Sequence, residues 1–139
     1  MKTYNDIPEI KDRIYLENEL VYACLTNLPI TPGHTLIIPK RAVATFGELT
    51  SDELLAVHNL TNQVTEKLQL KVGAQGFNFA WNQGADYGQS IDHFHLQIIP
   101  RTPGDDGIYQ YEPREFLYRP GTMPTSPERE LADFARSLK

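Results

Sequence analysis

Cysteine is nearly absent from this chain, in which Cys24 is the single cysteine among 139 residues. An internal disulfide is therefore excluded, and so is a metal site built on paired cysteines. A chain that makes no use of disulfides suits a reducing compartment, and we expect a cytoplasmic protein. The opening residues, MKTYNDIPEIKD, are polar and contain no apolar stretch of the kind that forms a signal peptide.

Excess positive charge and long apolar runs are lacking too. Lysine and arginine number 13 against 18 aspartates and glutamates, which gives a net charge of −5. Overall charge therefore offers no support for binding nucleic acid or an anionic membrane surface. No apolar run approaches the ~20 residues that a membrane-spanning helix needs. Because 40% of the residues are hydrophobic, the chain can form one core, and we expect a single domain over residues 1–139.

The order of hydrophobic patterns predicts an α+β fold with a mainly antiparallel sheet of about five strands and flanking helices. β-rich or alternating segments predict strands at residues 13–16, 20–26, 35–40, 76–82 and 91–99. Helical spacing predicts helices at residues 50–70 and 127–138. We expect a core over residues 13–101, and then, over 102–139, an irregular wrap with docking tyrosines followed by the last helix; those tyrosines are Tyr109, Tyr111 and Tyr118.

Both helices carry end signals. Thr50 and Glu53 have the spacing of a capping box, and Gly73 suits the left-handed turn that ends many helices. In the last helix, Ser126 is the expected cap and Pro127 the first helical residue. The buried stripe of the long helix is expected to comprise Leu54, Val57, Thr61, Val64 and Leu68.

The stretch IDHFHLQIIPR, residues 91–101, places polar side chains at alternate positions of a predicted strand. His93, His95 and Gln97 would share one face of it. Burying such groups unpaired costs roughly 1–3 kcal/mol each, so a structural sheet face would carry valine or isoleucine instead. The polar row must therefore face a cleft, a ligand, a metal or a covering polar segment.

Three interpretations of this row compete. In the first, the histidines bond nearby backbone and face solvent. In the second, two histidines at alternate strand positions bind a metal, with His34 or His58 as a third ligand. In the third, one imidazole attacks phosphorus as a nucleophile, because a neutral imidazole, with a pKa near 6.5, is nucleophilic at cellular pH.

The loop before the row favours the third interpretation. Its sequence, NQGADYGQS over residues 82–90, supplies Asn82, Gln89, Ser90 and two glycines. Glycines let backbone N–H groups approach an anion closely, and the amide and hydroxyl side chains add further donors. Such a loop beside histidines is what a phosphate site requires, whereas a metal site has less use for it.

These motifs resemble those of the histidine triad (HIT) superfamily. The family motif is His-x-His-x-His, and this chain has HFHLQ at residues 93–97. The segments PGHTLIIPK at 32–40, NQG at 82–84 and GQS at 88–90 also match in order and spacing. The resemblance covers roughly residues 13–101. It implies an antiparallel sheet with flanking helices, often as a homodimer, and nucleotidyl transfer at the α-phosphate of a nucleotide substrate. We expect neither a cofactor nor a metal.

Roles follow from the resemblance by position. His95 takes the place of the nucleophile that forms a covalent nucleotidyl-histidine, and His93 that of a residue orienting it. His34 would lie behind the row and support its hydrogen bonding. Phosphate oxygens or the leaving group would be held by Asn82, Gln89 and Ser90. Asn27 occupies a position that resembles the family's ribose-binding one.

Gln97 departs from the family motif, which has a third histidine there. Galactose-1-phosphate uridylyltransferase and the dinucleoside polyphosphate phosphorylases also carry glutamine at this position. Glutamine donates and accepts hydrogen bonds but exchanges no proton, so one acid–base group is missing. We therefore expect a hydrolase of phosphoanhydrides such as diadenosine polyphosphates. The alternatives are a nucleotidyltransferase or phosphorylase that uses phosphate as acceptor, and a nucleotide-binding protein with little turnover.

Overall fold

The computed structural model describes residues 2–105 and 127–139. Its centre is a five-stranded sheet in the order β1-β2-β3-β5-β4, and each neighbouring pair is antiparallel. The strands are β1 Ile14–Glu17, β2 Val21–Leu25, β3 Thr35–Pro39, β4 Gly76–Ala80 and β5 Leu96–Arg101. The α-helices are α1 Ile10–Arg13, α2 Ser51–Val72 and α3 Glu128–Leu138, with short 3₁₀ turns at Tyr4–Asp6, Phe46–Glu48 and Ala85–Tyr87. The predicted α+β class is confirmed.

Helix α2 begins and ends as predicted from its capping residues. The Glu53 backbone N–H donates to Thr50 Oγ1 at 3.1 Å, and the Thr50 N–H donates to Glu53 Oε1 at 2.9 Å. Gly73 takes the left-handed conformation with φ of 71°. The helix runs to Val72, two residues beyond the predicted end, because only Gly73 leaves helical geometry.

Helices α2 and α3 pack on one face of the sheet. Leu60, Val64 and Leu68 are fully buried there, whereas Leu54 is 39% exposed. Including Leu54 in the buried stripe was wrong. At 3.6 residues per turn it lies roughly 120° around the helix from Leu60, which the prediction omitted. On α3 the buried residues are Leu131, Ala135 and Leu138.

The start of α3 differs slightly from the prediction. Pro127 is its N-cap, with extended backbone, and the helix begins at Glu128. The expected cap, Ser126, lies outside the described residues, as do Tyr109, Tyr111 and Tyr118.

Strand β5 begins five residues later than predicted. Pairing with β3 ends at the Ile37–Leu96 pair, and residues 91–95 form an irregular segment. Here the Phe94 N–H donates to Val43 O at 2.6 Å, and the His93 N–H donates to Ile91 O at 2.8 Å. These bonds replace a strand ladder, so the histidine row precedes the strand instead of lying on it.

A smaller apolar cluster lies apart from the main core. It joins Tyr4 and Ile10 of the N-terminal segment to side chains of β2 and β3, namely Tyr22, Cys24, Leu36 and Ile38. The N-terminal segment therefore packs against β2 and β3, and β3 is the neighbour of β5, the strand that follows the histidine segment. Within residues 2–105 and 127–139, no helix combines the length and apolarity needed to cross a membrane.

Candidate active site

A cleft of about 400 Å³ opens beside the irregular segment that precedes β5. Six of the residues singled out from the sequence line it, namely Asn27, His34, Asn82, Ser90, His95 and Gln97. His93 and Gln89 are not among the lining residues. The described lining includes two cations, Lys2 and Arg13, and no carboxylate. In a protein with net charge −5, this local surplus of positive charge favours an anionic ligand.

His95 is buried at the cleft, with 8% of its surface exposed. Its Nδ1 lies 3.0 Å from the backbone oxygen of His93. A carbonyl oxygen only accepts, so Nδ1 carries the proton and Nε2 keeps its lone pair. Burial lowers the pKa of His95, and the nearby His93 ring lowers it further, against the opposing effect of the hydrogen bond to the His93 carbonyl. The imidazole is therefore held neutral, with one defined nitrogen available for bonding.

His93 is fully buried and uses both of its ring nitrogens within the protein. Nδ1 accepts the Tyr4 backbone N–H at 3.2 Å, and Nε2 donates to Pro39 O at 2.7 Å. Burial lowers the pKa of His93 as well, against hydrogen bonds to the Pro39 and Arg41 backbone. Neither ring nitrogen is therefore left for a ligand. The His93 side chain holds residues 91–95 in place, and its backbone oxygen orients His95.

A chain of hydrogen bonds fixes the orientation of Gln97. The Ile30 N–H donates to His34 Nδ1 at 3.0 Å, so the proton of that neutral ring lies on Nε2. His34 Nε2 then donates to Gln97 Oε1 at 3.0 Å. With its oxygen engaged, Gln97 offers its amide N–H groups to the cleft that it lines. His34 is 3% exposed, and this bond joins it to the polar row.

The loop before the histidines is braced from inside. Gln89 is 6% exposed; its Oε1 accepts the Gly84 N–H at 2.9 Å, and its Nε2 donates to Ala44 O at 2.8 Å. Gly84 and Gly88 have φ of 99° and 98°, a conformation that favours glycine. Asn82 Nδ2 donates to the Gly88 backbone oxygen at 3.2 Å. The structure thus places Asn82 and Ser90 at the cleft and uses Gln89 to hold the loop.

The other two interpretations of the histidine row find little support in this geometry. A solvent-facing row is contradicted by the burial of His93 and His95, at 0% and 8% exposure. His58 lies exposed on α2, which packs against the opposite face of the sheet, and its ring contacts Asn62 at 3.4 Å. Among the described residues, no group of three His, Cys, Asp or Glu side chains is arranged to hold a metal ion.

The sequence prediction missed the contribution of the N-terminal residues. Tyr4 lines the cleft, and its ring packs on those of His93 and His95 with centroid distances of 5.7 and 5.2 Å. Arg13 also lines the cleft; Nη1 donates to Leu25 O at 3.0 Å, and Nε lies 3.4 Å from Glu128 Oε2. Neither residue belongs to a recognisable motif, so only their position in the fold reveals them.

The fold and the site together define an α+β protein that carries buried histidines at a cleft on one face of an antiparallel sheet. The chain belongs to the HIT domain family, whose model matches residues 7–104.

Three curated relatives show the range of proteins that it resembles. An uncharacterised HIT-like protein of Mycoplasma genitalium is 41% identical over 85 residues, which cover 61% of this chain and 60% of the relative, so the chain spans less than two thirds of that protein. A bis(5'-adenosyl)-triphosphatase of Dictyostelium discoideum is 30% identical over 115 residues, covering 76% of this chain and 77% of the relative. An AP-4-A phosphorylase of Mycobacterium tuberculosis is 30% identical over 106 residues, covering 73% and 54% respectively.

Solved structures support the fold. The crystal structure of diadenosine triphosphate hydrolase from Plasmodium falciparum superposes with a TM-score of 0.74 at 21% identity, covering 93% of this chain and 75% of that one. At this identity the likeness concerns the fold alone, and the protein has the HIT fold.

Proposed function

We propose that the protein acts on the α-phosphate of nucleoside phosphoanhydrides, such as dinucleoside polyphosphates, through a covalent nucleotidyl-histidine. In the first step, His95 Nε2 attacks the α-phosphorus. A P–N bond forms, and the P–O bond to the leaving phosphate breaks with its electron pair going to that oxygen. In the second step, the oxygen of water or of phosphate attacks the same phosphorus, and the P–N bond breaks with its electron pair returning to Nε2; when the acceptor is water, its proton passes to the solvent. The observation that carries the proposal is the Nδ1 bond to the His93 carbonyl, which leaves Nε2 as the nucleophile.

The rest of the cleft suits a nucleotide. Lys2 and Arg13 supply positive charge to the cleft, and Asn82, Ser90 and Gln97 would offer hydrogen-bond donors for phosphate oxygens. Asn27 also lines the cleft and supplies an amide for the ribose hydroxyls. Apolar side chains suited to a nucleobase line the same space: Ile7, Leu28, Ile30, Leu36 and Ile91.

Water and phosphate are both candidate acceptors in the second step. Among the relatives, one is named a triphosphatase and another a phosphorylase, so the likeness supports either. We favour hydrolysis as the main reaction. Phosphorolysis stays the alternative, because a site that binds phosphate oxygens can also bind phosphate as an acceptor.

Rapid quench with a dinucleoside polyphosphate labelled at the α-phosphorus tests this proposal. We expect label trapped on the protein within the first turnover, and loss of that label in His95→Ala. The product formed with added phosphate identifies the acceptor. His58→Ala is the matched control, because this exposed histidine lies on α2. A protein that binds the nucleotide equally well with and without His95, and traps no label, would be a binding protein without turnover.

We also propose that the protein forms a homodimer through β4. In the described sheet β4 pairs only with β5, so its outer edge carries unpaired backbone groups. Phe79 and Trp81, at the end of this strand, are 52% and 42% exposed, and Trp81 stacks on Phe46 at 4.9 Å. Phe79 lies opposite Ile98 in the register, and neither Phe79 nor Trp81 lines the cleft.

A further inference from the structure

The N-terminal segment Lys2–Asp6 is bound beside the histidine segment by three hydrogen bonds. The Asp92 N–H donates to Lys2 O at 3.2 Å, and the Tyr4 N–H donates to His93 Nδ1 at 3.2 Å. Asn5 Nδ2 donates to Lys40 O at 3.1 Å, just beyond β3. The N-terminal segment is thus hydrogen-bonded both to the histidine segment and to the residue that follows β3.

Tyr4 is the residue of this segment that reaches His95. Its side chain is 8% exposed, and its ring plane stands at 81° to that of His95 with the centroids 5.2 Å apart. Perpendicular packing at this distance is an attractive arrangement of aromatic rings. The same ring lies 5.7 Å from that of His93. One side chain therefore packs against both histidines of the motif.

The backbone of Tyr4 acts on His95 indirectly. Because its N–H donates to His93 Nδ1, the His93 proton must lie on Nε2, where it is donated to Pro39 O. His93 is then held at both ends of its ring, and its carbonyl is held in turn. That carbonyl is the acceptor that fixes the tautomer of His95.

We infer that Tyr4 is a positioning residue for the nucleophile: its ring packs against His95 and excludes water from it, while its N–H secures the histidine that orients it. This inference rests on the proposed function only in naming His95 the nucleophile. It assigns a positioning role to the N-terminal segment, whose residues the sequence analysis described only as polar.

The inference has a consequence for pH dependence. Burial is the main cause that lowers the pKa of His95, and the Tyr4 ring supplies part of that burial. Removing the ring admits water, so the pKa of His95 should rise toward its ordinary value. The other titratable or charged groups near His95 or lining its cleft are Lys2, Arg13, His34 and His93, and substitution of Tyr4 removes none of them.

Tyr4→Ala and Tyr4→Phe test the inference. In Tyr4→Ala we expect kcat/KM for dinucleoside polyphosphate to fall roughly 10- to 100-fold at neutral pH, mostly in kcat, and the acidic limb of its pH profile to move to higher pH. Tyr4→Phe keeps the ring and should stay within about twofold of wild type, with its acidic limb unmoved. An equal loss in both variants, or a loss in Tyr4→Ala without movement of the limb, would overturn the inference.

Ile10→Ala is the matched structural control, because Ile10 is buried in the same apolar cluster as Tyr4 and does not line the cleft. It should lower stability without moving the pH profile. If Tyr4→Ala fails to fold, Tyr4→Leu replaces it, since it restores apolar volume without an aromatic ring.

The ¹⁵N chemical shifts of the His95 ring provide a readout that does not depend on activity. They report the tautomer and the titration of the imidazole in unreacted protein. In wild type, the His95 ring should carry its proton on Nδ1, and its titration midpoint should lie below the ordinary value. In Tyr4→Ala that midpoint should rise. A midpoint that is the same in both proteins contradicts the role of Tyr4 even if no nucleotide is ever turned over, whereas absence of the covalent intermediate contradicts the proposed function alone.

Discussion

Single hydrogen bonds decide what each polar side chain of the cleft contributes. His95 and His93 are both buried and neutral, yet only His95 keeps a nitrogen available, because His93 binds Tyr4 and Pro39 through its ring. Gln97 likewise presents N–H groups to the cleft because His34 occupies its oxygen. The chemistry of the site follows from these partners as much as from the residue types.

Gln97→His is expected to change the choice of leaving group. With glutamine, no proton can be passed to the leaving group from this position, which a phosphate tolerates and an amine does not. We predict that wild type prefers diadenosine polyphosphates to adenosine phosphoramidate. In Gln97→His, the ratio of kcat/KM for the phosphoramidate to kcat/KM for the diadenosine polyphosphate should rise at least ~10-fold. Steady-state assays on both substrates measure this ratio. A wild-type enzyme that cleaves the phosphoramidate faster would contradict the prediction.

Gln89→Ala is expected to lower both stability and turnover. Its amide joins the Gly84 N–H to the Ala44 oxygen, and leaving such buried groups unpaired costs roughly 1–3 kcal/mol. Urea unfolding and kcat measure the two effects. Gln63→Ala, at an exposed position of α2, is the control and should change neither. A Gln89→Ala protein of wild-type stability with a raised KM would instead mean that Gln89 contacts the substrate.

The sequence was sufficient for the residues that form a motif and insufficient for those that do not. His95, Gln97 and Asn82 could be found from spacing because the loop and the strand are contiguous in the chain. Tyr4 and Arg13 reach the cleft through packing of the N-terminal segment on β2 and β3, and no local pattern encodes that contact. Gln89 was predicted to hold phosphate oxygens. Its hydrogen bond to the backbone of Ala44 could not be predicted, because Ala44 is distant in sequence.

Among the elements, α2 was predictable because its signals are local. Its capping box and terminal glycine lie within the chain segment that they define. The start of β5 was not predictable, because residues 91–95 leave the ladder through bonds to Val43, Tyr4 and Pro39. Alternation of polar and apolar residues is the same in an extended segment whether or not it has a strand partner.

Glu53 connects the stability of α2 to pH. Its side chain accepts hydrogen bonds from Arg41 Nη2 at 2.6 Å and Nε at 3.2 Å, and Arg41 chiefly lowers its pKa, aided by the Thr50 backbone. The stability that ionised Glu53 contributes is fully present above its ordinary pKa of 4.5. It is lost as the pH falls through the lowered pKa of the folded protein. Glu53→Gln should therefore be less stable than wild type at pH 7, with the difference shrinking in acid.

Thermal unfolding between pH 3 and 7 measures that difference, and Glu66→Gln, an exposed glutamate of the same helix, is the control. Thr50→Ala, which removes the other half of the capping box, should cost about 1 kcal/mol. A constant gap between wild type and Glu53→Gln across this pH range would contradict the linkage.

For the whole molecule, the exposed edge of β4 predicts its state of association. Trp81→Glu should convert the proposed dimer to a monomer, because it places a charge in the aromatic patch beside the strand edge. Analytical ultracentrifugation over a range of concentrations measures this. Leu20→Glu is the control, since Leu20 is 37% exposed in the turn between β1 and β2, at the opposite edge of the sheet. A wild-type protein that stays monomeric throughout would contradict the proposal.

Arg13 lies between the C-terminal helix and the cleft. Its guanidinium lines the cleft, holds the Leu25 oxygen at the end of β2, and lies 3.4 Å from Glu128 at the start of α3. In the proposed complex, the nucleotide phosphate and the docked helix would both interact with this one buried cation. Such coupling is reciprocal, so whatever a nucleotide does to the docking of α3, the docking of α3 does to nucleotide affinity by the same free energy. We therefore expect substitutions of Glu128, which does not line the cleft, to change the affinity for the proposed nucleotide.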